Sequence, residues 1–513
     1  MAMSKPRFYV TTAIAYPNGR PHMGHAYEAI ATDVIARFKR LDGFDVRFLT
    51  GTDEHGLKID QAARAAGKPP KAYVDDMVAP FQSLHESLGI SFDRFIRTTD
   101  DDHKALVQAL WQRMAANGDL YLGRYEGWYS VRDEAYYDEG ELVTGEDGGK
   151  LSPNGAPVEW TVEESWFFKL SAYQDKLLAL YESHPEYIQP ASRFNEMRAF
   201  VAGVLSDLSV SRTSFTWGIP VPGDERHVMY VWLDALANYL TGADATGRGS
   251  LDGEWWPADL HVVGKDVVRF HAVYWPAFLM SAGIALPKTV FGHGFLLNRG
   301  EKMSKSLGNV VDPAAMVDRF GVDRLRWFLC REVAFGDDGS YSDEAIVERT
   351  NADLANGIGN LAQRSLSMVA KNLGGVMPVR GEAGETELRL KEAFLSGSEA
   401  YFTAMNALAL HKALDALMAM VAAANGYFAE NAPWALAKTD VARMAEVLAA
   451  TLDATRRIVI LAQPFMPAST TQLLDQLGVA ADLCDFNGFN TPVDAGTQLP
   501  APAGVFPRIT LEG

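Results

Sequence analysis

Two short strings hold the residues best suited to chemistry: His22-Met23-Gly24-His25 and Lys302-Met303-Ser304-Lys305-Ser306. The first sits where an apolar run passes into an amphipathic one. Its histidines therefore fall at a helix N-terminus, where backbone N–H groups and the macrodipole favour phosphate. The second offers two lysines across a small Met-Ser step, which suits a loop that closes over a polyphosphate and neutralises charge developing in a transition state. Together they point to phosphate chemistry without a P-loop. A chance match and a solvated basic turn are the bland readings, so the elements that position these strings have to agree with the sharp one.

They do agree. Residues 8–14 form a short β-branched run closed by the turn cluster Ala15-Tyr16-Pro17-Asn18-Gly19, which predicts a buried strand and its exit loop. A helix is predicted over 24–41, with Ile30, Val34, Ile35 and Phe38 on its apolar face and Asp33, Arg37 and Lys39 off it. A second strand at 46–49 runs into Gly51-Thr52-Asp53-Glu54-His55-Gly56. Strand, helix and strand make half of a parallel nucleotide-binding sheet, whose ligands sit at the carboxyl ends of the strands. The other half comes much later: a strand at 260–263, a helix over 267–282, and a strand at 289–291 leading to Gly292-His293-Gly294. The lysine string lies just beyond.

The fold class expected is therefore α/β, a split Rossmann-type parallel sheet in two parts, 1–118 and 229–295. An inserted domain at 119–228 differs in composition, being aromatic, acidic and locally glycine-rich. Residues 296–350 carry the lysine loop. From 351 to 513 the pattern is almost wholly helical, with segments around 361–369, 401–424 and 441–461 suited to an antiparallel bundle. The tail from 492 is rich in Pro and Gly and has no readable period.

At 513 residues the chain implies several domains. A net charge of −18 opposes generic adhesion to nucleic acid or anionic membrane, so any RNA contact must be local. The two cysteines, Cys330 and Cys484, are too far apart in sequence to form a ligand pair, which fits a reducing cytoplasm. Residues 1–8 have no apolar signal core, and the most apolar later stretch, 267–286, is interrupted by Arg269 and His271. Neither export nor membrane spanning is expected.

The two opening strings resemble the paired signatures of class I aminoacyl-tRNA synthetases, and three further segments make the resemblance specific to the methionyl-tRNA synthetases. These are Ala13-Ile14-Ala15-Tyr16-Pro17-Asn18-Gly19, Tyr230-Val231-Trp232-Leu233-Asp234-Ala235, and Gly264-Lys265-Asp266-Val267-Val268-Arg269-Phe270-His271. The resemblance implies a methionine pocket made by Ala13, Ile14, Tyr16, Asp53, Trp232, Ala235, Leu236, Tyr239, Val267 and His271. Methionine is flexible and polarizable, so aromatic surfaces plus one polar contact to sulfur, from His271 or Tyr16, suit it. Asp53 would take the substrate ammonium. ATP would lie against His22, Gly24, His25, Gly264, Asp266, Gly294, Phe295, Lys302, Ser304 and Lys305, with Mg²⁺ arriving on the nucleotide. His22, His25, Lys302 and Lys305 are the catalytic candidates.

The same resemblance implies transfer of the methionyl group to tRNA(Met), with Asn360, Arg364 and Trp434 reading the anticodon. Asn360 and Arg364 stand at i and i+4 of a predicted helix, and Trp434 follows Pro433 as a stacking platform. Many relatives carry a zinc knuckle built on Cys-x-x-Cys pairs. Here Ser130 and Asp133 stand at that spacing, so no zinc is expected. The insertion is too short for a large editing domain, and a monomer is expected. Alternatives at this stage are a synthetase for cysteine or a branched aliphatic amino acid, a small-molecule nucleotidylyltransferase, and a silent tRNA-binding relative.

Overall fold

The apolar, β-branched runs assemble into one six-stranded parallel sheet. We label its strands β1 (Arg7–Thr12), β2 (Asp45–Thr52), β3 (Arg94–Arg97), β4 (Ile188–Gln189), β5 (Leu260–Gly264) and β6 (Val290–His293). Their spatial order in this computed structural model is β3-β2-β1-β5-β6-β4. It describes residues 5–133, 135–145, 148–303 and 311–511, the side chains of residues 125, 135, 163 and 302 excepted. Strand β1 pairs with β2 on one side and with β5 on the other, so the first and second halves of the chain meet along β1 and β5. A crevice opens at the carboxyl ends of those two strands, the switch point where α/β sheets bind ligands.

Helix α1 (Met23–Leu41) covers the sheet and is buried on most of its circumference. The sequence places Asp33 off the apolar face; the structure buries it completely, because Arg326 of a later helix reaches it. The Arg326 guanidinium donates to Asp33 Oδ2 at 2.7 Å and to the carbonyls of Leu88, Pro464 and Phe465. Asp33 also accepts from Arg37 and from the backbone and hydroxyl of Ser91. Burial pushes the Asp33 carboxyl up, but Arg326, Arg37 and Ser91 outweigh it and hold it below its ordinary value. Both charges are hydrogen-bonded throughout, as a buried pair requires; breaking such a pair on one side costs about 3–5 kcal/mol.

On the sheet's other side, α2 (Asp101–Ala116) packs on α3 (Val231–Ala243). The carbonyls near the end of α3 are satisfied by the sheet: Tyr9 donates to Tyr239, Arg94 to Thr241 and Arg47 to Gly242. The predicted helix 267–282 is interrupted. A π-helical turn, Phe270–Tyr274, precedes a regular helix, Trp275–Ala282. Pro276 has no N–H to return to the Ala272 carbonyl, and Tyr181 donates its hydroxyl to that carbonyl instead at 2.8 Å.

Between the two halves, Leu120–Ser130 pairs antiparallel with Glu159–Phe168 over its length, flanked by Ala135–Tyr137 and Leu208–Ser209. The chain returns from there to the main sheet at β4. Past β6, Leu296–Asn298 pairs with Glu301–Lys302 through a turn at Arg299 and Gly300, both at positive φ. Ser304 and Lys305 lie outside the described residues, as does the side chain of Lys302.

The rest is helical: α4 (Asn360–Asn372), α5 (Glu385–Asn406), α6 (Leu410–Asn431) and α7 (Val441–Ala462). The segment read as one helix over 401–424 is two, α5 and α6 packed against each other. Leu408, at φ 58, turns the chain between them with neither Gly nor Pro to mark the place. The tail, although irregular, is tied down: the Ile509 N–H donates to Asn351 Oδ1, whose amide donates back to the Ile509 carbonyl. No helix among the described residues is long and apolar enough to cross a membrane.

Candidate active site

The N-terminus of α1 holds its two histidines by their own backbone. The Gly24 N–H donates to His22 Nδ1 and the His22 N–H donates to His25 Nδ1, each at 3.1 Å. The rings stack with centroids 3.9 Å apart. Because each Nδ1 accepts, each neutral imidazole carries its proton on Nε2. Burial pushes the His25 pKa well below the ordinary range, and the neighbouring His22 and His85 push it further. His25 is therefore a neutral N–H donor rather than a cation. A Cβ at Gly24 would come within 2.9 Å of the His22 ring, so a side chain there would push that ring from its cap position.

Across the crevice, Trp232, Ala235, Leu236 and Tyr239 line one face of α3. Trp232 stacks flat on Phe270 at 3.6 Å, and the π-helical turn brings His271 under Tyr239. His271 Nδ1 donates to the Val267 carbonyl at 2.9 Å, so its Nε2 accepts the Tyr239 hydroxyl at 2.6 Å. Burial pushes the His271 pKa down to about 4, keeping the ring neutral. The hydroxyl of Tyr16 donates to the His55 carbonyl at 3.2 Å. Thus the one N–H of His271 and the hydroxyl proton of Tyr16, each read from the sequence as a polar contact to sulfur, are spent on carbonyls within the protein, and what the wall offers sulfur is aromatic, polarizable surface.

Asp53, at the end of β2, projects into the same space, with its backbone N–H bonded to the Ala15 carbonyl. Gly264 ends β5 and Asp266 lies just beyond it, and Gly294 and Phe295 follow β6. A Cβ on Gly294 would meet the Asp337 backbone at 2.2 Å, so only glycine lets that loop approach. These residues, the histidines, Ala13, Ile14, Tyr16, Val267 and the α3 face all line one cavity of about 820 Å³, as does Met303 of the lysine string. Sequence reasoning missed Glu28 and His293, which line it too and bond at 2.8 Å. Burial pushes Glu28 up, whereas for His293 the Glu28 carboxylate outweighs burial and raises its pKa. The signals available were the spacing of Glu28 three residues after His25 and the Gly-His-Gly string at a strand end. Lys58 also lines the cavity, its ammonium 5.2 Å from the Tyr16 ring.

Asn360, Arg364 and Trp434 lie outside that cavity, in the helical region. The Arg364 guanidinium sits 4.8 Å from the ring of Phe428 and 5.1 Å from that of Trp434, which is 45% exposed. Asn360 opens α4 one turn before Arg364.

The comparisons with known proteins agree along the whole chain. A family profile described as tRNA synthetases class I (M) matches residues 8–146 and 150–366, and one described as the anticodon binding domain of methionyl tRNA ligase matches 377–513. The methionine–tRNA ligase of Mesorhizobium japonicum is 59% identical over 508 residues, covering 99% of this chain and 98% of that one. The chain belongs to the methionyl-tRNA synthetases. Among solved structures, Mycobacterium tuberculosis methionyl-tRNA synthetase in complex with methionyl-adenylate superposes with a TM-score of 0.95 at 56% identity, over 98% of this chain and 100% of that one. The apo form of the same mycobacterial synthetase gives 0.89 at 52% identity, over 99% of each chain. Methionyl-tRNA synthetases thus account for the split sheet, the insertion and the helical region together, and the cysteine and branched-chain alternatives fall away.

The neutral state of His271 has a measurable consequence. Its folded pKa lies below the unfolded value, so the stability it contributes is present above about pH 6.5 and is lost as pH falls towards 4. Denaturant titration of the wild type and His271→Gln should show a stability difference that shrinks by on the order of 3 kcal/mol between pH 7 and 4. A difference independent of pH would refute the assignment.

Proposed function

We propose that this chain activates L-methionine with ATP and transfers the methionyl group to the terminal adenosine of tRNA(Met), for initiation and elongation. The observation that carries this reading is that one cavity is lined both by the helix-capping histidines and by the aromatic face of α3. In the first step a methionine carboxylate oxygen attacks the α-phosphorus of ATP, and the bond to the bridging oxygen of pyrophosphate breaks. No proton moves, so positioning and charge neutralisation do the catalysis. In the second step a ribose hydroxyl of the tRNA attacks the acyl carbon, the bond from that carbon to the phosphate oxygen breaks, and AMP departs as its phosphate takes up the hydroxyl proton.

The residues divide accordingly. His22 and His25 donate from Nε2 to the ATP phosphates, beside the positive end of α1. Asp53 takes the methionine ammonium, while Trp232, Ala235, Leu236 and Tyr239 close on the side chain with Ala13, Ile14, Tyr16, Val267 and His271. Gly24, Gly264, Asp266, Gly294 and Phe295 accommodate the nucleotide. Lys302 and Lys305, with Ser304, neutralise the departing pyrophosphate, and Mg²⁺ comes bound to ATP as part of that substrate. Asn360, Arg364 and Trp434 meet unstacked anticodon bases, the Arg364 guanidinium being already held against two rings. The enzyme works as a single cytoplasmic chain.

The knuckle position does not suit zinc. Ser130 Oγ accepts the Asp133 N–H at 3.2 Å, and the Asp133 carboxylate accepts from Tyr137 and Ser152. Among the described residues no group of three or more His, Cys, Asp or Glu side chains is placed to hold a metal. Elemental analysis of the purified protein should find no stoichiometric zinc; one zinc per chain would overturn this.

Lys302→Ala should lower the rate of methionine-dependent ATP–pyrophosphate exchange by about 10²-fold or more while leaving the equilibrium affinity for methionine nearly unchanged. An exchange rate equal to wild type would sink the role. Trp434→Ala should lower kcat/KM for tRNA charging by about tenfold, the worth of one stacked base, and leave adenylate formation intact. A normal KM for tRNA would count against it.

A further inference from the structure

Two residues beside the pocket take no part in the reaction as described: His55, two positions after Asp53 in the loop that follows β2, and Asp234, two after Trp232 in a string that resembles the family's site. In the structure they meet. Asp234, in the first turn of α3, is 1% exposed, with one carboxylate oxygen 2.6 Å from His55 Nδ1 and the other 2.8 Å from His103 Nε2. His103, on α2, is fully buried, and its Nδ1 lies 2.9 Å from the Thr241 hydroxyl further along α3. A single carboxylate is thus shared by two imidazoles from two other elements. Burial pushes the Asp234 carboxyl up, but the two histidines outweigh it.

The loop that His55 belongs to is anchored at each residue in turn. The Asp53 N–H donates to the Ala15 carbonyl, and the Glu54 N–H to Thr98 Oγ1. The buried Glu54 carboxylate takes both arms of Arg97, at 2.6 and 2.9 Å, and the hydroxyls of Thr52 and Thr99. The Trp217 indole donates to the Glu54 carbonyl, and Tyr16 to the His55 carbonyl. Glu54 ties the loop to β3, whereas His55, through Asp234, ties it to α3. Asp53 and Tyr16 stand on the loop side of that tie. Trp232, Ala235, Leu236 and Tyr239 stand on the other.

We propose that Asp234 is a positioning residue, which through His55 and His103 sets the separation between the Asp53 and Tyr16 wall and the α3 wall of the amino-acid pocket. This rests on the methionine-site reading above. Asp53, which takes the substrate ammonium, and the α3 residues that close on its side chain stand on different walls, so their separation decides how well methionine seats. The ATP side, built on α1, β5 and β6, is independent of it.

The test is methionine-dependent ATP–pyrophosphate exchange by the full-length chain, with folding checked by far-UV circular dichroism. Asp234→Asn keeps the shape and removes the charge; it should raise KM for methionine about tenfold, as expected when a substrate-orienting group shifts by a fraction of an ångström, and leave KM for ATP within about twofold. His55→Asn retains an N–H where Nδ1 stands, and should stay within about twofold of wild type, whereas the isosteric His55→Leu should match Asp234→Asn. This pair keeps the test decisive if Asp234→Asn does not fold. An unchanged KM for methionine, a parallel rise in both KM values, or equal effects of the two His55 variants would overturn the proposal. If the wild type shows no methionine-dependent exchange, the underlying site reading falls as well; if it does and the variants fail as described, only the positioning role falls.

Discussion

Helix α1 is clamped by a buried ion pair that tolerates little movement, and the phosphate side of the cavity depends on this. At its middle, Asp33 and Arg326 form an ion pair shielded from water, and the arginine also bonds the carbonyls of Pro464 and Phe465 just beyond α7. A buried pair is stable only while every lone pair and N–H has its partner. The sheet side of the molecule and its helical region therefore share one register at α1. The same helix presents His22 and His25 at its N-terminus, so the histidines ride on an element clamped about three turns away.

The cavity pairs two unlike surfaces. On the α1 side, backbone N–H groups fix the tautomers of two imidazoles, so donors point outward without the cost of burying cations. On the α3 side, Trp232, Phe270, Tyr239 and a neutral His271 give a polarizable wall in which the histidine and hydroxyl bond each other. Reaction by a carboxylate on a phosphate needs little proton transfer, and the neutrality of these groups accords with that. The backbone of Lys302 lies on a separate hairpin beyond β6.

A chain with a net charge of −18 has to make its RNA contacts locally. In the helical region the Arg364 guanidinium lies against the rings of Phe428 and Trp434, which are tilted 55° to each other, so two aromatic rings hold one cation in place. Trp434 follows Ala432, which at φ 42 adopts a conformation few alanines do. That bend starts a new helix at Pro433 and leaves the indole half-exposed beside α6.

Much was legible in the chain because it is local. Strands β1, β2, β5 and β6 announce themselves by β-branched runs, α1 by its 3.6-residue period, and the histidine and lysine strings by spacing that a short segment fixes alone. The residues of the α3 face came from the resemblance of residues 230–235 to the methionyl-tRNA synthetases, and the helix that presents them together was seen only in the structure. Four features were not legible: Asp33 as an interior residue, the π-helical turn at Phe270–Tyr274, the Glu28–His293 bond, and the carboxylate shared by His55 and His103. Each depends on partners brought from elsewhere in the fold, 293 positions away for Arg326 and Asp33 and 265 for His293 and Glu28. Sequence by itself determined four of the six strands of the parallel sheet, helix α1, and which side chains have the chemistry for nucleotide and thioether. Only the tertiary structure decided which charges are buried, which tautomers are held and how far apart the pocket walls stand, because those follow from desolvation and hydrogen-bond partners that no local pattern encodes.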